Sequence, residues 1–128
     1  MKGETREKVG QLFMLGFSGT TVSPELAELI SQYRPGGVIL FTRNLENAAQ
    51  IIRLTNELQK LSPESPLLIS IDQEGGRVSR LPAGFTIFPA CAILGRCGSA
   101  DLAYQAAAAT AAELRAVALE HHDLAAEL

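Results

Sequence analysis

The sequence has no cluster of basic residues, and its 11 Lys and Arg residues are outnumbered by 14 Asp and Glu residues. The resulting net charge of −3 gives no reason to expect nucleic acid or an anionic membrane surface as a partner. The first apolar run, LFMLGF at 12–17, is shorter than the core of a signal peptide and much shorter than a membrane span. We therefore expect a single cytoplasmic domain that contacts neither a membrane nor nucleic acid.

Several catalytic and metal-binding motifs are also missing. The chain contains no GxSxG, HExxH, GxGxxG or GKS/GKT sequence. Its two cysteines, Cys91 and Cys97, do not form a CxxC pair, and no set of four zinc ligands is present. The adjacent His121 and His122 would point to opposite faces of a strand and make a poor shared metal site. We expect free thiols, surface histidines and no metal site.

Apolar runs alternate with amphipathic stretches along the chain. The runs at 12–17, 36–41 and 67–71 predict strands, and the stretches at 23–33, 48–61 and 99–120 predict helices. Ser23 is a typical helix cap before Pro24. This order predicts an α/β fold of parallel βα units. The pattern leaves open whether the sheet is doubly wound or part of a (β/α)₈ barrel, and whether residues 118–128 extend the last helix or form a fourth strand.

The segment SIDQEGGRVSRL at 70–81 combines charge with backbone freedom directly after the third predicted strand. Asp72 would lie at the carboxyl end of that strand, where parallel α/β folds bind ligands. Arg77 and Arg80 carry forked donors that suit oxygen-rich ligands. Structural pairing of these arginines with Asp72 and Glu74 is an equally good interpretation. A third is that Asp72 and Glu74 form the acid/base carboxylate pair of a glycosidase.

Two other loops follow predicted strands on the same side. GFSGTT at 16–21 resembles a phosphate-binding loop only loosely. Thr42, Arg43 and Asn44 follow the second strand, and they suit either a ligand-facing loop or a polar turn capped by Asn44. The residues alone therefore leave the chemistry undetermined.

Five stretches together resemble one family. KVGQLFMLGFSG, RPGGVILFTRNLEN, LLISIDQEGGRVSRL, GFTIFP and AAELRAV occur in the order and spacing of the N-terminal domain of glycoside hydrolase family 3, β-N-acetylhexosaminidase subgroup. The resemblance implies a (β/α)₈ barrel and a retaining exo-glycosidase acting on terminal β-linked N-acetylhexosamine, such as N-acetylglucosamine in peptidoglycan fragments. It implies no metal or organic cofactor, and it assigns substrate binding to Asp72 and Arg80.

The sequence also departs from the family pattern. The KHFPGHGDT-type segment, which carries the acid/base histidine, and the strand with the nucleophilic aspartate have no counterpart here. We expect residues 1–128 to form a partial family domain with three to four of the eight barrel strands. This chain alone would be catalytically incomplete. The alternative is a non-catalytic sugar-binding or assembly module, with self-association or a complementary chain at its exposed strand edges.

Overall fold

The computed structural model describes Thr5 and residues 8–118. Three strands, β1 (Met14–Gly16), β2 (Gly37–Leu40) and β3 (Leu68–Ile71), form a parallel sheet in the order β1-β2-β3. The connecting helices are α1 (Pro24–Tyr33), α2 (Ala48–Lys60), α3 (Cys91–Arg96) and α4 (Ala100–Ala118), with a 3₁₀ turn at Thr42–Asn44. The predicted α/β fold of parallel βα units is confirmed.

Helix α1 has residues at both ends that explain where it begins and where it ends. The Ser23 hydroxyl accepts a hydrogen bond from the backbone N–H of Leu26 at 3.2 Å, and Pro24 occupies the first turn. Hydrogen bonds from its own backbone N–H and from the Ser23 hydroxyl lower the pKa of the Glu25 carboxyl. The helix ends at Arg34, which adopts a left-handed conformation with φ of 47°.

One face of the sheet packs against the helices and carries the core. Val38 and Leu40 of β2 are buried on this face, and Ile69 and Ile71 of β3 are partly buried there. Because α1, α2 and α4 contribute apolar side chains to the same layer, a single core forms between these helices and the sheet. Its buried members are Leu26, Ile30, Val38, Leu40, Leu45, Ile51, Leu54, Leu58, Leu67 and Val117.

The opposite face of the sheet is open within the described residues. Met14 of β1 is 42% exposed and Leu68 of β3 is 64% exposed, and register aligns both with Gly37 of β2. No described element packs against this face, so Leu68 stays exposed although it lies in an apolar strand. Phe13 lies within the predicted first strand at 12–17, but in the structure it precedes β1 and is 57% exposed.

Other boundaries differ by a few residues. The segment between β3 and α4 contains the short helix α3, and the helix predicted at 99–120 begins at Ala100. The Ser99 hydroxyl caps α4 by accepting from the Leu102 N–H at 3.2 Å. Helix α4 is described as far as Ala118, so His121, His122 and the question of a fourth strand lie outside the described residues. None of the helices in the described part of the chain is long and apolar enough to span a bilayer.

Candidate functional site

The loop after β3 brings a carboxylate and a guanidinium together at the carboxyl end of the sheet. Asp72 directly follows Ile71, the last residue of β3. By the alternation of a strand it continues the row of Leu68 and Ser70, on the open face. Its Oδ2 accepts a hydrogen bond from Nη2 of Arg80 at 2.9 Å, and the two side chains are 33% and 28% exposed. This is a half-buried, charge-assisted pair.

A tight turn makes this pairing possible by reversing the chain between the two residues. Gly75 and Gly76 have φ values of 79° and 58°, which few other residues adopt at low cost. The backbone N–H groups of Glu74 and Gly75 both donate to the Val78 carbonyl, at 2.9 and 3.1 Å. A side chain at Gly75 would also meet the Pro89 carbonyl oxygen at 2.5 Å.

Gln73 sets the register of the two arms of this loop. Its Oε1 accepts from the Arg80 backbone N–H at 2.7 Å, and its Nε2 donates to the Ser79 hydroxyl at 3.0 Å. The Gln73 side chain on one arm thus accepts a hydrogen bond from the Arg80 backbone N–H on the other arm. Arg80 is thereby held opposite Asp72 rather than displaced by one residue.

The loops after β1 and β2 are joined by buried amides. Asn44, which is fully buried, donates to the carbonyls of Phe17 and Gly19 at 3.2 and 2.8 Å and accepts from the Phe41 N–H at 2.9 Å. Gln50 of α2 donates to the carbonyls of Thr20 and Asn44, at 2.6 and 3.0 Å. Buried polar groups that are satisfied in this way rigidify the segments they connect.

An aromatic ring lies where the three loops meet. The guanidinium carbon of Arg43 is 4.7 Å from the centroid of the Phe41 ring, and that of Arg80 is 5.9 Å from it. Arg43 also donates through Nε to the Phe17 carbonyl at 2.8 Å. Nε of Arg80 is buried and has no hydrogen-bond partner within the described residues.

The residues predicted to face a ligand differ in what they contact. The structure pairs Asp72 with Arg80, whereas Glu74 and Arg77 are exposed and their side chains form no ion pair with a described residue. Asn44 accepts from a backbone N–H in its own turn, as the capping interpretation expected, but Asn47 caps α2. In the loop at 16–21, carbonyl oxygens of Phe17, Gly19 and Thr20 accept from side chains of the chain itself.

Sequence reasoning missed Phe41, Gln73 and Gln50. Phe41 could have been found from strand alternation, since it follows Gly37 and Ile39 on the open face of β2. Gln73 and Gln50 carry no comparable signal, because their hydrogen-bond partners depend on the geometry of the loops.

A cavity of about 460 Å³ lies beside this site, between the β3 loop and helices α3 and α4. It is lined mainly by apolar side chains, and neither Asp72 nor Arg80 lines it. Cys91 lies at its wall and donates to the Glu74 carbonyl at 3.3 Å. Both cysteines are free, as predicted, and both are exposed. Within the part of the chain that the structure describes, no three His, Cys, Asp or Glu side chains gather closely enough to hold a metal ion.

Comparison with known proteins agrees with this geometry. Residues 4–125 match the model of the glycosyl hydrolase family 3 N-terminal domain. The chain belongs to glycosyl hydrolase family 3. A β-hexosaminidase of Thioalkalivibrio sulfidiphilus is 41% identical over an alignment of 113 residues, and the match covers 84% of this chain and 32% of that protein.

Two solved structures of the family share the fold. A family 3 β-N-acetylglucosaminidase from a Paenibacillus species has a TM-score of 0.83 at 49% identity, over 88% of this chain and 22% of its own. NagZ of Neisseria gonorrhoeae, in complex with N-trifluoroacetyl-D-glucosamine, has a TM-score of 0.61 at 37% identity, over 73% of this chain and 27% of its own. The chain spans about a third or less of the length of these three relatives.

Proposed function

We propose that this chain supplies part of the sugar-binding surface of a retaining exo-glycosidase that hydrolyses terminal β-linked N-acetylhexosamine, with N-acetylglucosamine as the sugar. Residues 1–128 would be a partial family 3 domain, and β1 to β3 would be the first strands of a (β/α)₈ barrel. The names of the β-hexosaminidase and β-N-acetylglucosaminidase relatives support the substrate class. The free, exposed thiols of Cys91 and Cys97 support a cytoplasmic protein.

The observation that carries this proposal is the Asp72–Arg80 pair at the carboxyl end of β3. Only Oδ2 of Asp72 is used by Arg80, so Oδ1 has no hydrogen-bond partner among the described residues. An ionised carboxylate held in this way is a strong acceptor for sugar hydroxyls. Arg80 keeps further guanidinium N–H groups for the oxygens of the same ligand. We therefore assign both residues to substrate binding.

The pairing argues against a catalytic role for Asp72. A retaining glycosidase needs a nucleophile and a proton donor placed about 5 to 5.5 Å apart across the glycosidic bond. Asp72 is engaged with Arg80, and Glu74 lies exposed in the turn. We propose that other parts of the family domain provide the groups that break the bond, and that the 128-residue chain alone releases no sugar.

The open face of the sheet favours a second candidate, in which the chain acts as an assembly module. Met14, Leu68 and Phe13 are exposed apolar side chains on or beside two edge strands. Unpaired edge strands invite pairing with another chain. The partner would be a polypeptide that supplies the remaining βα units, or a second copy of this chain. Light scattering tests this candidate by comparing the oligomeric state of the purified chain with that of Leu68→Lys, a variant of the open face.

The binding role is tested by titrating the purified chain with N-acetylglucosamine while recording ¹H–¹⁵N spectra. We expect shifts centred on residues 72–80, and we expect Asp72→Ala and Arg80→Ala each to remove them. Glu74→Ala and Arg77→Ala are matched controls in the same loop and should bind like the wild type. Equal loss in the control variants, or saturable binding that survives Asp72→Ala, would overturn the assignment. Incubation with a chromogenic β-N-acetylglucosaminide tests the expected lack of hydrolysis.

A further inference from the structure

Phe41 occupies a junction that neither the family match nor the ion pair explains. It directly follows β2, and its half-buried ring extends over the end of β1, where a Cβ atom added to Gly16 would lie 3.5 Å from it. Arg43 from the β2 loop and Arg80 from the β3 loop both place their guanidinium groups within 6 Å of its centroid, at 4.7 and 5.9 Å. One ring thus lies close to the end of β1 and to residues of the loops after β2 and β3.

The Asp72–Arg80 pair by itself is a weak restraint. Both side chains are about a third exposed, and ion pairs of that kind hold long flexible side chains loosely. Arg80 has a second unusual feature, since its Nε is buried without a hydrogen-bond partner in the described residues. A buried donor in that state needs some compensation, and the electron-rich face of an aromatic ring attracts a guanidinium. Phe41 is the aromatic residue in position to supply it.

Two like charges near one ring strengthen this interpretation. Arg43 is fixed by its bond to the Phe17 carbonyl, and it forms no ion pair with any described residue. Arg80 thus shares the ring with a second cation, and among the described residues it has a single counter-ion, Asp72. The negative charge of the Phe41 ring face attracts the Arg80 guanidinium in addition to that counter-ion. Without the ring, Arg80 would be expected to swing outward to solvent and release Asp72.

We propose that Phe41 is a positioning residue, which holds the Arg80 guanidinium against Asp72 so that the Asp72 carboxylate faces the sugar. The inference rests on the proposed sugar-binding function and deepens it. Phe41 acts through Arg80 and need not touch the sugar itself.

The test compares Phe41→Leu with Phe13→Leu, the same substitution at an exposed phenylalanine before β1. Two quantities are measured by NMR: the solvent-exchange rate of the Arg80 Nε–H and the affinity for N-acetylglucosamine. We expect Phe41→Leu to accelerate Nε–H exchange and to weaken the affinity by about two- to fivefold, the range of one cation–π contact. Phe13→Leu should change neither. Phe41→Tyr, which keeps the ring, should restore wild-type exchange and affinity.

A double-mutant cycle separates positioning from general destabilisation. In the Arg80→Ala background, Phe41→Leu should have no further effect on sugar affinity. An unchanged Nε–H exchange rate in Phe41→Leu, or an equal loss of affinity with and without Arg80, would overturn the proposal. If Phe41→Leu does not fold, Phe41→Met takes its place with the same expectations. Failure of the wild type to bind the sugar would refute the proposed function alone, because the exchange rate still decides the role of Phe41.

Discussion

The β2–α2 unit buries a continuous apolar stripe, whereas helix α4, which follows β3, buries few of its side chains. In the first unit, Val38, Ile51, Leu54 and Leu58 are almost inaccessible. Among residues 100–117 of α4, the buried ones are Ala106 and Val117. The polar loop with Asp72 belongs to the second, less buried unit and is ordered by specific hydrogen bonds and two glycine conformations. Stability and site geometry are therefore carried by different regions.

The largest expected contrast between the two regions is in core packing. Leu54→Ala removes a side chain that is 1% exposed, and we expect it to lower the free energy of unfolding by about 2–5 kcal/mol. Leu102→Ala makes the same change on α4, where the side chain is 42% exposed, and should cost about 0.5 kcal/mol or less. Urea unfolding of both variants measures the difference. Similar losses in the two would mean that Leu102 is packed against the rest of the protein as tightly as Leu54.

A smaller loss of stability is expected when a buried polar side chain of the first unit is removed together with its hydrogen bonds. Asn44→Ala would leave the Gly19 carbonyl and the Phe41 N–H without their partner, whereas the Phe17 carbonyl would keep its hydrogen bond from Arg43. Each orphaned group of this kind costs about 1–3 kcal/mol when it stays buried. We expect a loss of that order in urea unfolding, with faster amide exchange in the Phe41 turn.

The control for Asn44 is Asn56→Ala on α2. The Asn56 side chain is half-buried, and it makes no hydrogen bond to a described residue. Replacing it by the better helix former should change the stability by about 0.5 kcal/mol or less. If Asn44→Ala were equally mild, water would have to satisfy the freed groups, and the loops after β1 and β2 would not be rigidly joined.

The contrast also shows how far the sequence could predict the structure. Strand ends are set by local pattern, so Asp72 was placed at the carboxyl end of β3 from the run LLISI alone. The pairing of Asp72 with Arg80 is one of three interpretations that the sequence leaves open, because it depends on how the glycine turn folds back. The contact between Phe41 and Arg80 joins residues from two different loops, and no local pattern encodes it.

Burial was harder to predict than element type. Helical spacing places Leu29 beside Leu26 and Ile30, yet Leu29 is 38% exposed because it lies at the margin of the buried stripe. For α4, the sequence predicts a helix, and among residues 100–117 of this alanine-rich helix only Ala106 and Val117 are buried. The apolar run at 67–71 predicts a strand, but the exposure of its side chains depends on which elements cover the sheet, and the strand's own residues do not encode that.

The smallest expected effect concerns the hydrogen bonds that hold the long β3 loop onto α4. The Glu113 carboxylate accepts from the Thr86 backbone N–H, at 3.0 and 3.2 Å, and from the Thr86 hydroxyl. Glu113→Ala should lower overall stability by only about 1 kcal/mol, because Thr86 is exposed and water can replace the lost acceptor. The local effect should be clearer, with faster amide exchange at Thr86 and at Gly76, which donates to Phe88 two residues further on.

Glu57→Ala is the matched control for that change, since Glu57 is exposed on α2 and its side chain makes no ion pair with a described residue. It should leave the exchange rates at Thr86 and Gly76 unchanged. A Glu113→Ala variant with wild-type exchange at both amides would show that packing, and not this carboxylate, orders the loop. In that case the two units would be held together by the same forces, and the separation between stability and site geometry would fail.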